Sequence, residues 1–354
     1  MNIVLNGAGG TSANKLLSNG FDAGVLRPFV GDDGRSYMTL NSGKVDAKGK
    51  PIYNNLVTNA PATLRKDEWK LFDQAVIRAA KPRLRAWADL QAAGLTFNIP
   101  NGLGKTVLEH EVQSDISVAD VSMDGVTKTG GDRPTFTLRS MPLPIIHKDF
   151  GFTARQIAAS RNSGTPLDTT TAELAGRRVA ESIEALVLGT TTEYQFAGGK
   201  VSGYKTHDDI NTVVLTAGDA GGWTPSTLVE QVLNMKSVSH ADNMYGPWFC
   251  YNSPDWDEYL DDDYSAAKGD NTLRDRIGAI DGIDRPTTAD HLSGWDFILV
   301  QKSPETVRAV TGMGLTTVQW ETDGGMMIWF KVMAIMVPQV RSDVGNKSGI
   351  VAGA

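Results

Sequence analysis

The sequence predicts a mixed α+β fold that is organised around one long amphipathic helix. Within residues 168–188, apolar side chains recur at steps of three and four, so they form one stripe of a helix. The members of this stripe are Ala172, Ala175, Val179, Ile183 and Leu186. The segments 106–146 and 295–340 carry strand patterns instead. Helices and strands therefore occupy separate parts of the chain, which is typical of α+β proteins.

Both ends of this helix carry sequence signals. Thr170 and Glu173 have the spacing of a capping box, and Gly189 stands where a left-handed C-terminal cap is expected. Glu173, Arg177 and Glu181 are spaced as a charge ladder on the polar side. A helix of this length spans roughly 30 Å. We expect it to be a spine on which other elements pack.

Composition places the chain among ordinary globular proteins. Of its 354 residues, 41% are apolar and 21% are charged, which fits two or three substructures with a real core. The single cysteine, Cys250, excludes an internal disulfide and a cysteine-cluster metal site, as expected in a reducing cytoplasm. The longest apolar run, 326–337, is interrupted by Lys331 and is too short for a membrane span.

Charge is distributed unevenly along the chain. Residues 205–296 hold 17 acids and 6 bases, a balance of −11, so with a net charge of −7 the remainder is +4. The acidic segment should repel nucleic acid, whereas the basic helical stretch 65–85 could face phosphate. Acids are interleaved within 65–85, so a solvated helix face is favoured over a dedicated nucleic-acid site for this stretch.

The first 62 residues show little periodicity and many Gly, Asn and Asp breakers, which predicts an extended arm that is ordered only on neighbours. From residue 63 the pattern is helical, and Pro82 should end or kink the helix before a second piece runs to Gly94. Residues 95–147 then predict a long β-hairpin with polar faces. Such a hairpin is marginal alone, so we expect it to lie on another molecule.

The chain lacks catalytic and cofactor signatures. A dinucleotide loop needs glycine where Ser12 stands, and a phosphate-binding loop needs glycine where Ile99 stands. The five histidines are far apart, and no nucleophile elbow or catalytic Cys–His signature occurs. The acidic run around Asp261 lacks the order of a calcium loop, so a solvated acidic surface explains it better than a metal site. These features predict a protein that is not an enzyme and has no cofactor or metal.

The order of these parts resembles a tailed-bacteriophage major capsid protein of the Hong Kong 97-like fold. Segment 142–204, from PLPIIHKDFGF through the spine helix to GGKVSGY, resembles the part shared by encapsulins and encapsulin-like phage capsids. Segment 303–343, from SPETVRAV to VPQVRSD, resembles the closing strands of that family. In layout, the resemblance covers residues 63–345.

The resemblance implies a division of the chain into the parts of that fold. These are an extended N-terminal arm (1–62), an N-terminal helix (63–94), an E-loop hairpin (95–147), a peripheral domain with the spine helix 168–188 (148–205 and 318–345), an axial domain (206–317) and a C-terminal tail (346–354). It also implies a structural protein whose hexamers and pentamers build an icosahedral shell, assembled in the host cytoplasm, around double-stranded DNA in a virion. Possible further partners are scaffold, portal and decoration or cement proteins, and no membrane is involved.

The resemblance also directs attention to two groups of charged residues. Contacts between subunits are expected from Asp132 or Arg133 of the hairpin with Arg177, Arg178 or Glu181 of a neighbour's spine. The candidates for facing the genome are Arg78, Lys81, Arg83 and Arg85. Some relatives join subunits by a Lys–Asn isopeptide bond, with Lys105 and Lys128 as candidates here, but no supporting triad is evident and we expect non-covalent shells.

An encapsulin-type nanocompartment shell is the alternative function. Encapsulins usually begin with a helix that helps to dock cargo, whereas this chain begins with a long irregular arm. The arm therefore favours the viral shell.

Overall fold

The computed structural model describes residues 23–58, 62, 64–114, 119, 121–123, 133–163, 169–264, 271–343 and 345–353. Its α-helices are α1 (Lys66–Ala80), α2 (Arg85–Ala92), α3 (Ala154–Ser163), α4 (Thr170–Leu188), α5 (Pro225–Ala241), α6 (Asp257–Asp261) and α7 (Leu273–Gly278). Its β-strands are β1 (Phe29–Val30), β2 (Ser36–Val45), β3 (Pro51–Val57), β4 (Thr96–Asn98), β5 (Val107–Gln113), β6 (Phe136–Pro142), β7 (Ile146–Thr153), β8 (Tyr194–Phe196), β9 (Gly199–Val201), β10 (Asn211–Val213), β11 (Trp248–Asn252), β12 (Thr287–Thr288), β13 (Phe297–Gln301), β14 (Val307–Thr322), β15 (Met327–Val340) and β16 (Ile350–Gly353).

Helix α4 is the predicted spine. Four of the five members of its apolar stripe are buried, with Val179 at 2% and Ile183 at 0% exposure, whereas Leu186 is half-buried. Gly189 ends the helix at φ 76°, ψ 33°, and its N–H donates to the carbonyl of Ala185 at 3.0 Å, so the predicted C-terminal cap is confirmed.

The predicted capping box at the start of α4 is wrong. Thr170 is already the first helical residue, and Thr169 precedes it without capping through its side chain. Glu173 instead forms an ion pair with Arg78 of α1. The carboxylate that local spacing assigned to the helix end is therefore used to join two helices.

The long hairpin of β14 and β15 carries the main core. Its sheet has the order β4-β14-β15-β7, and α1 and α4 pack against it. Four phenylalanines meet between helix and sheet, Phe72 from α1, Phe150 and Phe152 from β7 and Phe330 from β15, and the rings of Phe150 and Phe330 stack at 5.3 Å. The predicted return of the closing strands to the spine is confirmed. Strand β14 starts at Val307, inside the predicted axial segment 206–317.

A five-stranded sheet forms a second core, in the order β10-β16-β13-β11-β12. Strand β16 lies between β10 and β13, and its residues Ile350 and Val351 are fully buried. The prediction of a C-terminal tail over 346–354 is therefore wrong. The short apolar end of the chain completes a sheet whose other strands precede it by more than 40 residues.

The N-terminal segment contains a sheet of its own. Strands β1, β2 and β3 pair in antiparallel order, with Met38 and Leu40 of β2 and Leu56 of β3 buried on one face. The prediction of an arm without regular structure is therefore wrong for residues 29–57. Residues 1–22 lie outside the described residues.

The predicted helix break at Pro82 is confirmed, because α1 ends at Ala80 and α2 starts at Arg85. The predicted hairpin is present as β5 paired with β6 in antiparallel register. Strand β4 lies within the predicted hairpin segment but joins β14 of the main sheet instead. Residues 124–132 of the turn lie outside the described residues. Within the described ranges, no helix has the length and apolar character that crossing a membrane requires.

Candidate assembly surfaces

A groove runs beside the spine helix, and we call it the spine groove. One wall is α4, with Arg178, Glu181 and Ser182, and the other includes Ile145 and Lys148 at the start of β7. Its volume is about 680 Å³. Arg178 and Lys148 are exposed, and they outnumber the one acid of these walls. The groove can therefore receive a partner that carries acidic and apolar groups.

The three spine residues that are predicted to contact a neighbouring subunit form a cluster around Glu181. Its carboxylate lies 3.4 Å from Nε of Arg177, without hydrogen-bond geometry, and accepts a hydrogen bond from Nη1 of Arg178 at 2.9 Å. One acid shared by two guanidiniums leaves an excess positive charge, and the Arg178 side chain is 64% exposed. Arg133 is exposed at the edge of the described hairpin, and Asp132 lies outside the described residues. The structure thus groups the three spine residues and leaves the contact with the hairpin as a prediction.

A second, apolar groove adjoins the spine groove. Its volume is about 670 Å³, and it shares Pro144, Ile145 and Tyr194 with the spine groove. Ile145, Tyr194 and Phe196 are each more than 40% exposed, which is unusual for large apolar side chains grouped on one surface. No sequence pattern marks this cluster, because its members come from separate short segments.

The hairpin of β5 and β6 presents a face with complementary chemistry. Glu109 and Glu111 of β5 are exposed, and the partners across the ladder include Leu138 opposite Glu111. Phe136 and Leu138 of β6 are 59% and 61% exposed. The opposite face is covered, since Val112 of β5 is 5% exposed. The exposed face of the hairpin therefore combines two carboxylates with two large apolar side chains.

Three of the four predicted genome-facing residues are already paired with acids. Arg78 pairs with Glu173. Arg83 and Arg85 lie 3.3 and 3.6 Å from the carboxylate of Asp290, and Arg85 also donates to the carbonyl of Thr288 at 2.6 Å. Lys81, the fourth candidate, is exposed. The arginines thus join helices α1 and α2 to the rest of the fold, and their charge is partly neutralised there.

A polar cleft lies at the root of the hairpin. His110 of β5 and His207 border this cavity of about 390 Å³, together with Arg139 and Asp209. Burial lowers the pKa of His110 to about 4, assisted by nearby Arg341 and Arg139, and burial also lowers the pKa of His207. The Arg139 guanidinium lies 3.0 Å from the Asp209 carboxylate. Both histidines are therefore neutral at pH 7.

The acidic run of the predicted axial segment binds an arginine of the same chain. Arg274 is 7% exposed, and its guanidinium contacts the carboxylates of Asp257 at 2.8 Å and Asp261 at 2.7 Å. Among the described residues, no group of three or more His, Cys, Asp or Glu has the arrangement of a metal site. The run therefore has a structural role that sequence spacing did not reveal.

A buried carboxylate connects the spine to the helix break. Glu184 of α4 is 3% exposed and accepts hydrogen bonds from the backbone N–H groups of Ala86 at 2.7 Å and Trp87 at 3.4 Å. Burial raises the pKa of Glu184 to about 7, although the hydrogen bonds oppose this effect. Glu184 thus satisfies the start of α2, where four N–H groups lack helical partners.

Comparison with solved structures shows which fold this is. The chain is similar to the virus-like particle from Pyrococcus furiosus, with 15% sequence identity, a TM-score of 0.58, and coverage of 81% of this chain and 99% of that one. It is also similar to the capsid of Myoviridae phage XM1, with 10% identity, a TM-score of 0.56, and coverage of 74% and 90%. A structure from Mycobacterium phage Bobi matches with 13% identity, a TM-score of 0.54, and coverage of 75% and 89%.

These similarities confirm the Hong Kong 97-like capsid fold that the sequence resemblance implied. No curated protein matches the sequence. A family profile described as a family of unknown function, DUF6260, matches residues 59–353. Because this match spans most of the sequence, the chain belongs to the DUF6260 family.

Proposed function

We propose that the chain is the major capsid protein of a tailed bacteriophage and assembles into the icosahedral shell that encloses its double-stranded DNA. The observation that carries the proposal is the Hong Kong 97-like fold, shared with the capsid of phage XM1 over 90% of that chain. A structural role also agrees with the lack of catalytic motifs in the sequence. Hexamers and pentamers of this chain are the units of the proposed shell, and scaffold, portal and cement proteins are its possible partners.

The surfaces of the described residues support self-assembly. The hairpin presents carboxylates and large apolar groups on one exposed face, and the spine groove presents Lys148 and Arg178 beside Ile145. We place the hairpin of one subunit over the spine groove of the next, with Glu111 near Arg178. A ring closes when each subunit gives its hairpin and receives its neighbour's in the same way. We propose that Arg133 and Asp132, which precede β6 in the sequence, extend this contact.

The contact is non-covalent in this proposal. Lys105 is exposed at the root of the hairpin, and Lys128 lies outside the described residues. Exposed ion pairs at subunit contacts contribute little, whereas desolvated ones contribute more, so salt should loosen the shell without dissolving it.

An encapsulin-type nanocompartment is a second candidate, because the Pyrococcus furiosus particle matches over 99% of its own chain. The two functions differ in what the particle contains. A nanocompartment shell closes around protein cargo, whereas a viral shell takes up DNA. The nucleic-acid content of particles from the native source, measured after nuclease treatment, separates them.

Electron microscopy of the purified full-length chain, together with size-exclusion chromatography, tests the proposal. We expect closed particles of uniform size from the wild-type chain. Deletion of residues 124–133 should leave a folded subunit that forms no particles, because an excursion of this kind gains its stability from a neighbour. Normal particles from the deletion variant would refute a role for the turn of the hairpin in assembly, and a wild-type chain that stays small at every concentration would refute the shell function.

A further inference from the structure

We infer that the DNA-contacting surface of this chain is the groove between its N-terminal sheet and helix α1, not the arginines around the helix break. The inference rests on the proposed function in that a shell encloses DNA. We call this cavity of about 410 Å³ the N-terminal groove, and it lies between Tyr53 and Thr39 of the sheet and Lys66 and Lys70 of α1. The ligand is the sugar–phosphate backbone of DNA, bound without regard to sequence.

The lysines of α1 are the cations available to a phosphate. Lys66 and Lys70 are both exposed, and one helical turn places them about 6 Å apart on the same side of α1. Among the described residues, no acid forms an ion pair with either lysine, although the ammonium of Lys66 lies 5.6 Å from the ring of Phe29. Asp73, the acid of the groove, is bound by Arg27 at 2.6 Å. A positive excess therefore remains on the groove wall.

The arginines of the helix break differ in this respect. Asp290 lies within 3.6 Å of both Arg83 and Arg85, and Glu173 pairs with Arg78. A phosphate would have to displace these carboxylates or share the guanidiniums with them. The same stretch of basic sequence is thus divided by the fold into a free part and a neutralised part.

The positive surface continues along the N-terminal hairpin. From Tyr53, which is 57% exposed, β3 leads back to a turn with Lys48 and Lys50, and Lys44 lies at the adjoining end of β2; all three lysines are exposed. The one acid of the turn, Asp46, accepts hydrogen bonds from the backbone N–H groups of Lys48 and Lys50 at 2.8 and 2.9 Å, so its carboxylate is held by its own turn. At about 3.3 Å per residue, the path from Tyr53 to the turn spans several phosphates.

Phosphate is favoured over an acidic protein segment for two reasons. The cations form a track along a groove and a hairpin and not a closed pocket, as expected for a ligand of regular charge. The first turn of α1 also carries Asp67 and Glu68, and Glu68 caps the N–H of Arg65 at 2.8 Å. The few carboxylates of a peptide would be repelled by these acids. A DNA strand carries a phosphate at every nucleotide, so some of its phosphates can contact the lysines without lying next to the acids.

Fluorescence anisotropy with a short labelled DNA duplex, across a salt series, tests the inference on the full-length chain kept below its assembly concentration. Two matched double variants are compared, Lys66→Gln/Lys70→Gln and Arg83→Gln/Arg85→Gln. The double substitution of the lysines should reduce the slope of log affinity against log salt by about two, and that of the arginines by less than about one. Lys66→Arg/Lys70→Arg should retain the wild-type slope.

Three results would overturn the inference: no binding by the wild-type chain, an unchanged slope in the lysine pair, or an equal change in both pairs. Thermal melting of each variant verifies that it is folded. Particle formation is scored separately by microscopy. If the variant Lys66→Gln/Lys70→Gln still forms empty particles but loses DNA affinity, the result supports the role of the N-terminal groove in binding DNA. If the wild-type chain forms no particles, the proposed shell function is refuted instead.

Discussion

The spacing of residues in the sequence predicts the structural role of some single residues but not of others. Gly189 has the left-handed conformation that its position predicted, because a C-terminal cap is a local property. The spacing of Glu173 predicts a cap at the start of its own helix, but its carboxylate binds Arg78 of α1. No sequence pattern marks Glu184, which binds the start of α2. Both depend on which helix lies alongside α4, which the local sequence does not determine.

Glu184 should make the stability of the subunit depend on pH. Its pKa of about 7 in the folded chain exceeds the ordinary value of 4.5, so the folded state holds the proton more tightly than the unfolded state. The stability that Glu184 contributes should therefore be fully present below about pH 4.5, fall as the pH rises towards 7 and stay low above pH 7. The total loss in the free energy of unfolding should be roughly 3 kcal/mol. Glu184→Gln should remove this loss and raise the free energy of unfolding at pH 8.

Urea unfolding between pH 4 and pH 8 measures the effect. Glu230→Gln on the exposed surface of α5 is the matched control and should follow the wild-type profile. If Glu184→Gln shows the same pH dependence as the wild type, the buried carboxylate is not its origin.

At the level of elements, the sequence predicted the long ones well. The spine helix, the helix break at Pro82 and the closing strands all have extended patterns, and all are present. The pattern of residues 29–57 does not predict the N-terminal sheet because Gly, Asn and Asp are almost as frequent there as apolar residues. Only Met38 and Leu40 of β2, together with Leu56 of β3, mark its buried face. Strand β16 was missed because its four residues are ordered only by partners far away in sequence.

Strand β16 should be essential for folding. Its removal would leave β10 and β13 without their shared neighbour and expose the cores that Ile350 and Val351 complete. Burial of each such side chain contributes about 1.5–3 kcal/mol, and the lost backbone hydrogen bonds add to this. Deletion of residues 349–354 should therefore abolish soluble protein.

Soluble yield and thermal melting measure the loss. Lys347→Ala, which removes a half-buried side chain and its 3.7 Å ion pair with Asp242 just before β16, is the control and should melt close to the wild type. A soluble deletion variant with a wild-type melting temperature would mean that the end of the chain is a tail after all.

For the whole molecule, the fold was predictable from the order of parts, whereas the assembly surfaces were not. The spine groove combines α4 with the start of β7, and the apolar groove combines Ile145, Tyr194 and Phe196 from separate segments. The acidic and apolar face of the hairpin arises from cross-strand register, which places Leu138 opposite Glu111. Each surface is formed by residues that are distant in sequence and brought together by the tertiary fold, so the sequence pattern alone does not reveal it.

In the proposed shell, the hairpin of one subunit lies in the spine groove of the next. Cross-linking of the double variant Glu111→Cys/Arg178→Cys with a short bis-maleimide, followed by a denaturing gel, tests this contact. Cys250 is buried and provides a silent background. The wild-type chain and each single variant should run as one band near 38.1 kDa, because the contact is non-covalent and the natural cysteine is inaccessible. The double variant should give a ladder of multimers, since every subunit both gives and receives a hairpin, and a double variant that remains monomeric in assembled particles would contradict the proposed contact.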